Sequence, residues 1–303
     1  MLLNYKTAYL NSDYTSMNLH FHKYHGAGND FIMIDNRDDS RQIWTALDTD
    51  TIASLCQRNH GIGADGLIVA VRDSQDANYR MGYFNADGSP AEMCGNGLRC
   101  LMKFLDDIGE PVRNMEEVKI LTGAGIIAAR FISDDLIQVA MPIPSFNAGD
   151  AAFKGGEETV NVSITVPGLK HPITGSAVGV GNPHFVIYNT EMWEGEEVHE
   201  LGSRMAIHKD VFPEGVNVGF ARKESKDTLA LVVYERGVGP TLACGSGAVA
   251  AVGAGVKTGR FEFDQPVSVR MPGGMLTVTI GSDWKYAVLE GDAVKTFEGT
   301  VST

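Results

Sequence analysis

The sequence predicts an α+β fold that consists of two similar halves. Segments rich in β-branched and aromatic residues are frequent, and Gly, Asp, Asn or Pro bound them. Helical periodicity is confined to a few places. A cysteine-glycine motif occurs twice, about half a chain apart. Many strands with few helices are typical of α+β proteins, and a repeat of this length indicates duplicated halves.

The β-rich segments predict strands along the whole chain. Each segment is short, and each is bounded by residues that favour turns. The predicted strands are 31–35, 67–71, 79–84, 118–121, 126–132, 136–141, 160–166, 184–188, 229–235, 267–271, 275–280 and 287–290.

Helices are predicted in four places. Apolar residues at positions i, i+3, i+4 and i+7 predict a helix over 98–105, with Gly109 as its end. Small apolar residues predict a second helix over 248–256, with Gly259 as its end. Two further helices are expected at 50–58 and 203–208.

Composition excludes several classes of protein. The chain has 303 residues, of which 44% are hydrophobic and 21% are charged, as in folded globular proteins. Its net charge of −13 argues against partners such as nucleic acid or an anionic membrane surface. No apolar run reaches the roughly 18 residues that a membrane helix needs.

The cysteines indicate free thiols in a reducing compartment. No Cys-x-x-Cys pair is present, so we predict no structural zinc site and no disulfide framework. Residues 1–16 lack the basic and apolar regions of a secretory signal, and we expect them to be a leader or a tag. These features predict a cytoplasmic protein.

The repeat carries the main clue to function. Residues 90–97 and 240–247 both follow the pattern Pro-x-x-x-Cys-Gly-x-Gly, and each lies between a predicted strand and a predicted helix. A second pair, 26–29 and 179–182, follows the pattern Gly-x-Gly-Asn. Because cysteine is rare in this chain, chance similarity is a poor explanation.

Each repeated cysteine stands just before a predicted helix, where backbone N–H groups have no partner within the helix. Such an end attracts anions and lowers the pKa of a thiol. If the two halves face each other, Cys94 and Cys244 flank one pocket that suits a carboxylate. The N–H groups belong to Gly95 and Asn96 in the first half and to Gly245 and Ser246 in the second.

Two facing thiols can invert a stereocentre. One thiolate takes a proton from one face of a carbon next to a carboxylate, and the opposite thiol returns a proton to the other face. Preorganised N–H donors and exclusion of water would stabilise the carbanion. No cofactor is predicted. Cys56 and Cys100 are expected to be buried packing residues.

These residues resemble the diaminopimelate epimerase family, cofactor-independent isomerases that interconvert LL- and meso-diaminopimelate. The resemblance covers nearly all of the chain from Met17 onward. It rests on HGAGNDF (25–31), HGIGADG (60–66), YFNADGS (83–89), CGNGLRC (94–100), GNPHF (181–185), VNVGF (216–220) and YERGVGPTLACGSG (234–247).

The resemblance implies a fold of two pseudo-symmetric domains. Each would be a curled, mainly antiparallel, barrel-like sheet around a central helix, with the active site in the cleft between them. Residues 17–139 with 291–303 would form the first domain, and 140–290 the second. A homodimer is implied, although Phe297 stands where some members have a tyrosine linked to dimer contacts.

The resemblance also implies residue roles. Cys94 would be the proton donor and Cys244 the proton acceptor from LL to meso, with roles exchanged in reverse. His184 and Glu235 would tune the pKa of the thiols. Gly66 stands where many members have a glutamine that contacts substrate. Substrate contacts would come from Asn29, Asn85, Gly95, Asn96, Asn182, Asn217, Glu235, Arg236, Gly245 and Ser246.

Related racemases are the first alternative. Proline racemases and hydroxyproline epimerases also use two cysteines, but their first motif has His where Asn96 stands. Histidine racemases would share the thiol pair and differ only in the distal pocket. A further related isomerase family has acids in place of the cysteines. The presence of both cysteines here argues against membership of that family.

Two other classes of function are weaker alternatives. Residues 61–66 and 245–250 match glycine patterns of dinucleotide-binding proteins, but neither lies in a tight strand-to-helix turn. A zinc protein or a non-catalytic binding module would need a compact ligand set. The spacing of Cys94, Cys100 and Cys244 does not provide one.

Overall fold

The computed structural model describes residues 18–38, 43, 47–73, 75–189, 191 and 195–302. The expected leader, 1–16, lies outside these residues. The described helices are α1 (Thr49–Cys56), α2 (Gly95–Asp107), α3 (Gly195–Ala206) and α4 (Gly245–Lys257). None of these described helices has the length and apolar character needed to cross a bilayer.

The strands form one continuous sheet of 18 members, and this confirms the predicted α+β class. The first nine are β1 (Asn18–Gly26), β2 (Asn29–Asp35), β3 (Gly66–Arg72), β4 (Tyr79–Asn85), β5 (Pro90–Ala91), β6 (Val118–Thr122), β7 (Gly125–Phe131), β8 (Ile137–Met141) and β9 (Val162–Ile164). The others are β10 (Ile173–Gly179), β11 (Pro183–Tyr188), β12 (Asn217–Lys223), β13 (Thr228–Glu235), β14 (Gly239–Thr241), β15 (Val267–Met271), β16 (Gly274–Ile280), β17 (Ala287–Gly291) and β18 (Val294–Ser302).

The two halves have the same pairing pattern. In the first, β2 runs parallel to β3, β3 antiparallel to β4, and β4 parallel to β6. In the second, β11 runs parallel to β12, β12 antiparallel to β13, and β13 parallel to β15. The helices α2 and α4 follow β5 and β14 at equivalent places. The sequence repeat is therefore a repeat of topology.

Two strand pairings tie the halves together. Strands β8 and β17 run antiparallel, with Met141 opposite Ala287. The C-terminal strand β18 lies antiparallel against β1, with Ser302 opposite Asn18. In the second half, β10 is the equivalent of β1, and β9 lies antiparallel against it as β18 does against β1. The last strand thus completes the half that the first strand begins.

The cores explain why α2 and α4 are central. α4 has small or apolar residues almost all round, and all but two of its residues are buried. Such a helix is stable only inside a protein. Gly253 lets Pro144 approach it, since a Cβ there would lie 2.7 Å from the Pro144 ring. Each sheet half wraps around its helix, and both helices share one large apolar cluster.

All the predicted strands are confirmed, with ends that differ by a few residues. Six strands were not among those predicted: β1, β5, β10, β12, β14 and β18. In β10 and β12, glycines weaken the β-rich pattern. The helix predicted at 203–208 is wrong in its bounds. It begins at Gly195, and its first turn carries Glu196 and Glu197, which favour a helix N-terminus.

Candidate active site

The two repeated cysteines occupy equivalent positions at helix N-termini. Cys94 is the N-cap of α2 and Cys244 is the N-cap of α4, both with extended backbones. The sulfur of Cys94 accepts a hydrogen bond from the Gly97 N–H at 3.5 Å, and that of Cys244 from the Gly247 N–H at 3.4 Å. Each sulfur therefore faces the N–H groups of the first turn.

The two helix N-termini meet where the halves join. A Cβ on Gly245 would lie 3.9 Å from the Cα of Gly95, and a Cβ on either glycine would press against the side chain of Leu289. The Asn96 amide, which is buried, donates to the carbonyl of Ala243 at 3.4 Å. Glycine is required at both positions because this approach is so close.

The two thiols differ in their surroundings. Cys94 is partly exposed, whereas Cys244 is 6% exposed. Burial raises the pKa of the Cys94 thiol, and the Gly97 N–H lowers it by less. Burial also raises the pKa of Cys244 well above its usual value, with a further rise from Glu235. The helix ends lower the pKa of both thiols as predicted, but the expected net lowering is wrong for the substrate-free protein, because burial outweighs the N–H groups.

Glu235 lies beside Cys244 at the end of β13. Its carboxylate accepts a hydrogen bond from the Thr241 hydroxyl at 2.7 Å, and it also contacts the Cys244 thiol. Burial raises the pKa of Glu235, and these two hydrogen bonds lower it by less. The structure thus brings a half-buried carboxylate against one of the two thiols.

Two tight turns place equivalent asparagines next to the helix ends. Gly28 has a φ of 82° and Gly181 a φ of 74°, the left-handed region that glycine tolerates best. Asn29 follows the first turn, and its Oδ1 lies 3.6 Å from the Cys94 sulfur. Asn182 follows the second, and its amide lies 3.5 Å from the Ser246 hydroxyl at the start of α4.

His184 is buried behind this layer. Its Nε2 lies 2.9 Å from the Oδ1 of Asn182, and its side chain has no measurable exposure. Burial, and then the nearby charge of Arg236, lowers the pKa of His184 to about 3. The imidazole is therefore neutral at pH 7 and is linked to α4 through the Asn182 amide. Its action on the thiols stays a prediction.

Arg236 and Asn217 are in contact just after the end of β13, next to Glu235. The Oδ1 of Asn217 accepts the backbone N–H of Arg236 at 3.0 Å, which fixes where β13 ends. The guanidinium donates to the Glu214 carbonyl at 2.8 Å and keeps 37% of its side chain exposed. It therefore retains donors for a ligand. Asn85 is exposed at the equivalent end of β4, where its amide donates to Ser89 at 3.0 Å.

Two residues beside the candidate site were not among the predicted site residues. Asp65 accepts the Asn29 amide at 2.8 Å and so orients it. Tyr83 lies on β4 two residues before Asn85, and its ring covers Gly66, where a Cβ would be 2.9 Å from the Tyr83 Cε2. Burial and then the charges of Cys94 and Glu235 raise the pKa of Tyr83. Side chains two residues apart in a strand lie on the same face, so Asn85 could have pointed to Tyr83 from the sequence.

One group of potential metal ligands converges among the described residues. His20, His22 and Glu298 lie on the paired strands β1 and β18. The Lys295 ammonium is 2.7 Å from the Glu298 Oε2 and already compensates its charge. We therefore interpret this group as an ion pair of Glu298 with Lys295 beside two histidines.

Comparison with known proteins agrees with the motifs. The family profile described as diaminopimelate epimerase matches residues 21–146 and 176–296. A diaminopimelate epimerase from Nostoc punctiforme is 37% identical over 286 residues, which are 93% of this chain and 99% of that protein. One from a Synechococcus species is 40% identical over 288 residues, 94% of this chain and 98% of the relative.

Solved structures show the same fold in other isomerases. A hydroxyproline epimerase from Agrobacterium vitis aligns with a TM-score of 0.64 at 14% identity, covering 94% of this chain and 91% of that one. A probable proline racemase from Agrobacterium radiobacter aligns with a TM-score of 0.65 at 15% identity, covering 93% and 92%. At this identity the likeness concerns the fold alone. The profile match and the full-length relatives show that the chain belongs to the diaminopimelate epimerase family.

Proposed function

We propose that this protein is a cofactor-independent isomerase that interconverts LL- and meso-diaminopimelate. The observation that carries the proposal is the meeting of two cysteine-capped helix N-termini, one from each half. Membership of the family supplies the substrate class. We place the reaction in lysine biosynthesis, because meso-diaminopimelate is its precursor.

The reacting end of the substrate would bind between α2 and α4. Its carboxylate would accept hydrogen bonds from the first-turn N–H groups, which have no acceptors within their own helices. These groups belong to Gly95 and Asn96, and to Gly245 and Ser246. The substrate Cα would then lie between the two sulfurs.

Proton transfer then needs one thiolate and one thiol. In the LL-to-meso direction the Cys244 thiolate takes the Cα proton, and the electron pair is left on carbon next to the carboxylate. The Cys94 thiol delivers its own proton to the opposite face. Because burial raises the pKa of both thiols before binding, the substrate ammonium would favour ionisation by bringing a positive charge to the site.

The distal amino-acid head would bind near the ends of β4 and β13. Arg236 has free guanidinium donors for its carboxylate. The amides of Asn85, Asn182 and Asn217 offer both donors and acceptors, which suits a zwitterion. Gly66 contributes no side chain, and a Cβ there would lie 2.6 Å from the Phe84 carbonyl.

Three further features belong to the proposal. The pairing of β18 with β1 supports domains at 17–139 plus 291–303 and at 140–290. The exposed Val294 and Phe297 on β18 support a homodimer. The free cysteines support a cytoplasmic location.

The test is incubation of the reduced protein with LL-diaminopimelate in D₂O, without added pyridoxal phosphate or metal, followed by NMR of the α-proton. We expect solvent deuterium at Cα and approach of the LL and meso forms to equilibrium. Exchange with histidine or proline but not diaminopimelate would reassign the substrate. No exchange with any of the three would overturn the proposal.

Cysteine variants test the two-base step. Cys94→Ala and Cys244→Ala should each lower epimerisation by more than about a thousandfold, because each leaves one face without its proton carrier. Cys56→Ala is the matched control, since Cys56, the last residue of α1, is buried in a separate apolar cluster. Normal turnover in either active-site variant would contradict the mechanism.

A further inference from the structure

The two halves of the site are not equivalent in charge. Position for position, Asn85 in the first half corresponds to Glu235 in the second, and Arg99 corresponds to Val249. At these two positions the first half therefore carries a neutral amide and a cation, and the second carries a carboxylate and an apolar residue. These two differences make the electrostatic surroundings of the two thiols unequal, although the topology of the two halves is the same.

Arg99 lies on α2, five residues after Cys94, and its side chain has 0% exposure. Its Nε donates to the Asp292 carbonyl at 3.1 Å, and its Nη1 lies 3.5 Å from the carbonyl of Gly95. The Nη2 atom is buried without a hydrogen-bond partner. Within the described ranges no carboxylate lies in salt-bridge contact with this guanidinium.

The Asp292 carboxylate acts on this guanidinium only from beyond salt-bridge distance. A buried cation without a directly paired carboxylate is costly, so a structural role alone explains it poorly. Gly26 and Gly291 make room for it, since a Cβ on either would lie 2.9 Å from a guanidinium nitrogen. Arginine stays protonated even when burial lowers its pKa. The first turn of α2 therefore has a fixed positive charge behind it.

We propose that Arg99, together with Glu235, sets the order in which the two thiols lose their protons, so that Cys94 ionises before Cys244 in the substrate-free protein. Arg99 acts as a positioning residue, through its charge and through the Gly95 carbonyl. With the roles in the proposed function, this order means that the resting protein is poised for the meso-to-LL direction. That corollary rests on the proposed function, whereas the order of ionisation does not.

The groups that face each thiol agree with this order. Around Cys94, burial and Glu235 raise the pKa, while the Gly97 and Asn96 N–H groups and Arg99 lower it. Tyr83, on the neighbouring strand, is neutral because its pKa is raised. Around Cys244, burial and Glu235 raise the pKa, and so does Cys94. There Ser246 and the Gly247 N–H lower it.

The test is site-resolved alkylation of the reduced protein with iodoacetamide across a pH series. Fragment-ion mass spectrometry separates Cys94 from Cys100 and from Cys244. The midpoint of each pH profile is compared, because absolute rates also depend on access. We expect the Cys94 midpoint to lie below the Cys244 midpoint. The reverse order would overturn the proposal, whether or not the protein turns over diaminopimelate.

Variants identify the residue responsible. Arg99→Met should raise the Cys94 midpoint by about one pH unit, because a nearby opposite charge commonly shifts a pKa by about that much and the guanidinium reaches the Gly95 carbonyl next to Cys94. Arg99→Lys should restore it. Arg113→Met is the control, because Arg113 pairs with Asp106 at the far end of α2. An unchanged Cys94 midpoint in Arg99→Met would refute the role of Arg99.

Glu235→Gln keeps the test decisive if Arg99→Met does not fold. It should lower the Cys244 midpoint more than the Cys94 midpoint, and so narrow the gap between them. Equal shifts of the two midpoints, or none, would contradict the proposal. Deuterium exchange from the substrate is measured separately, so loss of catalysis is not confused with a change in the order of ionisation.

Discussion

His184 should make the folded protein less stable in mild acid. Its imidazole is fully buried, and burial lowers its pKa to about 3, compared with 6.5 for an exposed histidine. The unfolded chain therefore binds a proton that the folded protein excludes, at every pH between these two values. Stability falls as the pH falls through 6.5 and stops falling below about 3.

The size of this loss of stability follows from how far the pKa of His184 is lowered. Each unit of pKa difference corresponds to about 1.4 kcal/mol, so the full effect below pH 3 is about 5 kcal/mol. At pH 5 this one histidine makes the free energy of unfolding about 2 kcal/mol lower than at pH 8. This is a large share of the 5–15 kcal/mol that stabilises ordinary proteins.

The assay is urea unfolding of the wild type and of His184→Gln at pH 8 and pH 5. Gln keeps a donor for the side-chain Oδ1 of Asn182 but does not titrate. The loss of unfolding free energy between the two pH values should be about 2 kcal/mol smaller in His184→Gln. His171→Gln, at an exposed position, is the matched control. Equal losses in the wild type and His184→Gln would refute the reasoning.

Three further outcomes are expected. Gly66→Ala should lower stability by about 2 kcal/mol, because its Cβ would overlap the Phe84 carbonyl and the Tyr83 ring; thermal unfolding measures this. Arg236→Met should lower kcat/KM for diaminopimelate about 10- to 100-fold, mainly through KM, because a charge-assisted hydrogen bond is lost. Diamide should inactivate the empty protein reversibly by linking the two active-site thiols, and dithiothreitol should restore activity.

Each of these outcomes can be contradicted. An unchanged unfolding temperature in Gly66→Ala would show that β3 and β4 can separate without cost. A fall in kcat with constant KM in Arg236→Met would place that residue at the reacting carbon instead of the distal head. Full activity after diamide would mean that the two sulfurs do not face one pocket.

The strands and central helices were predictable from local pattern. In segments such as Val267–Met271, apolar and polar residues alternate as in a half-buried strand. The predicted and observed bounds of this strand are identical. The helix α4 was visible from its small apolar run and from Gly259 at its end. Strand β10 was not visible, because glycine and serine interrupt its pattern and its burial comes from neighbouring strands.

The site was predictable in part, for a related reason. The repeated Pro-x-x-x-Cys-Gly-x-Gly pattern singled out Cys94 and Cys244, because few sequences need a rare residue twice at equivalent helix starts. The thiol pKa was predicted in the wrong direction. A helix end acts locally and can be recognised in the sequence, whereas desolvation depends on how completely the rest of the chain covers the sulfur.

The sequence by itself determined the class of fold, the duplicated halves and the two thiols, since each depends on residues close together in the chain. Only the tertiary structure decided that Glu235 lies against Cys244, that Tyr83 covers Gly66 and that Arg99 is buried without a paired carboxylate. These facts depend on contacts between residues distant in sequence. Burial and charge act through space, so the electrostatic difference between the two halves is fixed by packing.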